Sequence, residues 1–136
     1  MFSFKVLSRL TLVVCSLWPA LGFSQSANCL QSTTYFAGFY QDLYTMHRHG
    51  LDTFATDSAE RQMYFFQVQR SGDKLEANIV KSVRDENTLS ASDKKQRIQL
   101  HHAVGQRVRD MAATDAQNTQ PKDKASVLLA LQEVCL

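Results

Sequence analysis

Four histidines, His47, His49, His101 and His102, are the residues whose type and spacing come nearest to a reactive set. Imidazole exchanges protons near neutrality and ligates transition metals. At about 100° per residue, His47 falls on the Phe36, Tyr40 and Leu43 face of one helical stretch, and His101 on the Ile98, Val108 and Ala112 face of another. Two inward histidines on facing helices would form half of a metal site, which makes His47 and His101 the metal candidates. No carboxylate accompanies them on the interior stripes, and a His-x-His pair on a helix turns its rings to opposite sides. Hydrogen-bonded or pH-responsive packing is therefore the expectation, with no cofactor.

Other reactive patterns are missing from the sequence. It has no Gly-x-Ser-x-Gly elbow, no Cys-x-x-Cys and no haem-attachment motif. Its carboxylates stand singly or beside cations, as at Lys81 with Asp85 and Arg107 with Asp110. These spacings read as solvated helix-surface pairs worth a few tenths of a kcal/mol. The chain is not expected to be an enzyme.

Aromatic and methionine side chains give a better lead. Tyr35 and Tyr44 flank the buried face of the first helical stretch, while Met63 and Phe66 project away from the stripe of the second. Large exposed side chains of these types favour protein contact, so Tyr35, Tyr44, Met63 and Phe66 are the expected partner-binding residues. The competing expectation is a second helix buried on a wider arc.

These side chains require helices to position them, and the apolar spacing supplies helices almost throughout. Phe36, Phe39, Tyr40, Leu43 and Met46 recur at three and four, predicting a first helix from Leu30 to His49 that stops at Gly50. Asp57-Ser58-Ala59-Glu60 is a start signal with the acidic residue placed to reach back three positions. The stripe Phe65, Val68, Gly72, Leu75, Ile79, Val83 then predicts one helix to Arg84 or Glu86. A break at Gly72 into two helices is the alternative, since glycine costs ~1 kcal/mol in a helix interior.

Ser90 with Asp93, or Ser92 alone, caps a third helix from Asp93 to about Ala116. After the polar break Asn118 to Pro121, with proline near the first helical position, a fourth helix runs to Cys135 through Ala125, Leu128 and Leu131. Strand signals are nearly absent.

The first 24 residues have the layout of a secretory signal peptide. Lys5 and Arg9 precede an apolar run from Leu10 to Trp18, and Gly22 and Ser24 are small residues before a cut. The run is short for a membrane span. Of 15 Lys and Arg, two lie in this segment, leaving 13 to face 13 Asp and Glu. Residues 25–136 are thus formally neutral, which gives no argument for nucleic acid or an anionic membrane. Large residues before Cys15, and Asn28 before Cys29, are unlike a lipid-attachment site, so no stable membrane anchor is expected once the signal is removed.

Cys15 leaves with the signal, and Cys29 and Cys135 remain as a pair in an oxidising compartment. A loop of about 100 residues closed by such a bond is worth ~4.7 kcal/mol in the chain-entropy account. In an up-down bundle, four helices bring the first start and the last end together, whereas three or five do not. The expectation is an all-α, up-down four-helix bundle over residues 25–136, closed by Cys29–Cys135.

Function follows as an expectation of class. An exported, periplasmic or secreted helical domain without a reactive set works by protein contact, the plan of inhibitors and immunity proteins. A metal-binding or pH-sensing protein centred on His47 and His101 is the second expectation, and a homo-oligomeric envelope component the third.

Overall fold

The computed structural model describes the backbone of residues 4–118 and 120–136 and the side chains of 27–118 and 120–136. The expected signal and Cys15 lie outside the described side chains. Four α-helices, α1 (Phe4–Thr53), α2 (Ala59–Arg84), α3 (Ala91–Ala116) and α4 (Lys124–Gln132), are followed by a 3-10 turn, Glu133–Cys135. Among the described residues there is no strand, and no helix is long and apolar enough to cross a membrane. The chain is all-helical, and its helices pack as a bundle.

Local chemistry accounts for most helix ends. Ser58 caps α2 by accepting from the Arg61 amide at 3.1 Å, and Ser90 caps α3 through the Asp93 amide at 3.1 Å. Asp123 caps α4 through the Ser126 amide at 2.7 Å, and that amide, then the Ser126 hydroxyl, holds its carboxyl below the ordinary aspartate value. The expected start of α2 is corrected by one residue. Asp57 is not the cap; it turns the chain in the left-handed region at φ 61°, which aspartate tolerates better than most side chains.

Two glycines behave differently from the sequence expectation. Gly50 does not stop α1, which continues to Thr53; it is buried, and a β-carbon there would stand 2.7 Å from the Tyr64 ring. Gly72 does not break α2. A β-carbon at Gly72 would stand 3.0 Å from Arg109 Cδ, so the absence of a side chain makes room for the arginine stem. At both positions close approach between helices outweighs the propensity cost.

α1 touches α2, α3 and α4, and α3 touches α2 and α4, whereas α2 and α4 do not meet. Contacts from α1 to α3 rise together along both helices: Ser32 bonds His101, and Tyr40 bonds Asp115. Those to α2 and α4 run in reverse, since Gly50 faces Tyr64, Phe36 and Glu76 meet over Gly105, and Tyr40 meets Lys122 while Cys29 is joined to Cys135. The Cα atoms of that disulfide are 5.9 Å apart.

Phe36, Tyr40 and Leu43 of α1, Val104, Val108 and Ala112 of α3, and Val127 and Leu131 of α4 fill the core between them. Each of the larger aliphatic side chains contributes about 1.5–3 kcal/mol by leaving water. The expected stripe of α4 is corrected, because Ala125 is exposed and Val127 is buried in its place.

Candidate functional site

Glu76 is one of two buried carboxylates among the described residues, with Asp115. It lies on α2, two turns before its end, and is buried against α3. One oxygen is bonded to His102 Nδ1 and the other accepts from the Arg109 guanidinium, which also donates to Asp73 and, through Nε at 3.3 Å, to the Gly105 carbonyl. A buried carboxylate is tolerable only when charged and hydrogen-bonded partners replace water, and here two α3 side chains do so.

The cluster lines an open depression of about 350 Å³ with Ala77, Val80 and Arg84. Its polar groups already face one another, so the arrangement braces α2 against α3. The expectation that carboxylates stand singly or in solvated surface pairs is corrected at Glu76 and Asp115, which are buried, and Arg107 reaches Glu133 at 3.3 Å rather than Asp110. Glu76 stands four residues from Gly72, inside the buried period. That was the available signal, but its partners His102 and Arg109 lie 26 and 33 residues away.

A second buried network ties α1 to the α3–α4 connection. Tyr40 donates to Asp115 Oδ2 at 2.7 Å and accepts from the Lys122 amide at 2.9 Å, and Lys122 Nζ bonds both Asp115 oxygens at 2.8 Å. Burial first, then the bond to Asp115, pushes the Tyr40 hydroxyl up to about 12 against the opposite pull of the Lys122 amide.

The two histidines expected to share an interior are not brought together. His101 sits level with Phe36, at a ring separation of 6.1 Å, and its Nδ1 is 2.9 Å from Ser32 Oγ. His47 lies eleven residues beyond Phe36 on α1, about 16 Å along the axis, and stacks on Phe65 at 5.4 Å. Burial lowers both imidazoles from the ordinary value; at His101 Arg97 and His102 add to it and Glu76 opposes. Among the described residues no three His, Cys, Asp or Glu side chains are placed to hold a metal. Ser32 and His101 have the residue types of a nucleophile–base pair, but the Ser32 side chain is fully buried.

The expected contact residues separate into three environments. Tyr44 is corrected: it is buried, and its hydroxyl donates to the Asn118 carbonyl at 3.2 Å. Both α3 and α4 cover α1, so its buried arc is wider than one stripe. Tyr35 is 48% exposed and packs on Phe36 and Phe39. Met63 and Phe66 are 61% and 56% exposed on one face of α2. Because Phe36 is level with Glu76, Tyr35 lies about 15 Å from the Phe66 level and belongs to a separate surface.

Beside Met63 the chain turns from α1 into α2 over an aromatic cluster. Tyr64 packs on Phe54 at 5.3 Å, on His49 at 5.6 Å and on Phe65 at 5.8 Å, and its hydroxyl donates to the Met46 carbonyl at 2.9 Å. An open groove of about 430 Å³ runs over this cluster, with Phe54, Met63 and Tyr64 in its lining.

Comparison of the chain with known protein families, with curated proteins and with solved structures finds no match.

Proposed function

We propose that this is an exported, periplasmic or secreted binding protein that acts by protein-protein contact in the manner of an inhibitor or immunity protein. In this reading residues 1–24 are a removable signal, and residues 25–136 form one up-down four-helix bundle closed by Cys29–Cys135. The observation that carries the reading is the adjacent exposure of Met63 and Phe66 on one face of α2, with Met63 lining the groove over the Phe54–Tyr64 cluster. Side chains of that size on the exposed face of an amphipathic helix are more than solubility requires. The groups with unusual chemistry, Glu76 and Asp115, are instead used internally.

The exported, oxidised protein used as bait in an envelope extract tests this directly. The expected outcome is one stoichiometric protein partner whose binding weakens by about ten-fold or more in Met63→Ala or Phe66→Ala. Partner binding unchanged in both variants removes this surface.

A second reading, a pH-responsive envelope protein, is favoured by the histidine placements. His47 on Phe65 and His101 on Ser32 each join two helices through an imidazole. Its test is the stability profile given in the Discussion.

A further inference from the structure

We propose that the groove at the α1–α2 corner seats a basic, apolar segment of a partner protein, with a bulky apolar side chain on Phe54, Met63 and Tyr64 and a Lys or Arg beside it on Glu60. This rests on the protein-contact reading and names the partner's chemistry.

The floor is built before any partner arrives. Tyr64 is fixed by its hydrogen bond to Met46 and by three neighbouring rings, so little side-chain freedom remains to be lost there. Met63 is the adaptable element, an unbranched side chain that can follow the shape of what it meets. Ala59 keeps the helix side of the groove low.

Charge decides which apolar segment fits. Glu60 lines the groove and Asp57 stands just before the helix; both are exposed and neither makes an ion pair among the described residues. The nearest cation, Arg61, is turned inward, donating to the Leu51 carbonyl at 2.8 Å and the Phe54 carbonyl at 3.1 Å. It therefore neutralises the negative end of α1. Arg70 lies over the Phe66 ring at 5.9 Å, one turn farther along α2. The α2 N-terminus offsets roughly half a charge of the acidic pair, so the groove mouth remains negative. An acidic segment is repelled, and a basic one is drawn in and oriented.

A random peptide library displayed on phage and selected against the exported, oxidised protein tests the assignment. Enriched peptides are expected to pair Lys or Arg with a nearby Leu, Phe or Met. Their affinity should fall about ten-fold in Met63→Ala and about five-fold in Glu60→Lys, with the second loss recovered when the peptide's basic residue becomes Glu. Both substitutions are on exposed positions, and unchanged helical circular dichroism checks the fold. Peptides without a basic residue, or binding indifferent to Glu60→Lys, overturn the charge assignment while a Met63→Ala effect keeps the contact reading. Failure to enrich any peptide, or binding unchanged in both variants, overturns the two together. A dimer in gel filtration that Met63→Ala dissociates assigns the groove to a second copy and overturns the proposal.

Discussion

Gly50 of α1 lies directly against the ring of Tyr64 on α2, so close that a β-carbon would stand 2.7 Å from Cδ1 and Cε1 and 2.9 Å from Phe65 Cε1. Both rings belong to a packed cluster and neither can withdraw cheaply. Gly50→Ala should therefore destabilise the fold by about 1–3 kcal/mol even though alanine gains ~1 kcal/mol of helix propensity. Gly38, exposed on the same helix with nothing within 4 Å of its would-be β-carbon, has no such contact. Gly38→Ala should stabilise by about 0.5–1 kcal/mol. Urea unfolding of the pair checks both signs, and a stabilised Gly50→Ala would contradict the packing.

Glu76→Gln places an amide NH₂ where one of two donors, His102 or Arg109, now finds an oxygen. Arg109 retains Asp73, so the loss should be moderate, about 2–3 kcal/mol. Hydrogen exchange should show the weakening along the α2–α3 contact. Equal loss of protection along α4 would argue against a local brace.

Tyr40→Phe removes the donor to Asp115 and the acceptor of the Lys122 amide together. A loss of about 1–2 kcal/mol is expected at neutral pH. The wild type should in addition lose stability in alkali. Its Tyr40 is held at about 12 when folded against 10.0 as the ordinary value, so the unfolded chain ionises first and stability falls as pH rises from 10.0 toward 12. Parallel alkaline unfolding of the two proteins should show a shallower decline for Tyr40→Phe.

His47 and His101 set the acid side. Their folded values lie below the ordinary 6.5, so the folded state prefers neutral imidazole and the unfolded chain takes up protons first. Stability should be level above 6.5 and fall as pH drops from there through the depressed folded values. Denaturant midpoints at pH 7.5 and 5 measure the fall, and His47→Gln with His101→Gln should flatten it. A wild-type profile already flat across that window would remove the pH-responsive reading.

Helix order and the approximate extents of α2 and α3 were legible in the residues, because spacing at three and four and the serine caps are local signals. So was the pairing of Cys29 with Cys135, expected because they are the two cysteines outside the apolar leader. The histidines could be placed on interior faces but not at heights along the bundle. Height depends on how far one helix slides past another, and His47 and His101 ended at levels about 16 Å apart along the bundle axis. Tyr44 was misjudged for a related reason: the width of a buried arc depends on how many helices cover it.

The sequence by itself determined that this chain is helical and roughly where α2 and α3 run, since propensity, capping and apolar period act over a few residues. Only the tertiary structure decided that Gly50 and Gly72 are points of close approach and that Glu76 is buried beneath His102 and Arg109. It alone placed Met63 with Phe54, Tyr64 and Glu60 around one open groove. Those outcomes depend on packing between helices distant in sequence, where a neighbour's shape or charge reverses the local preference of the residue it meets.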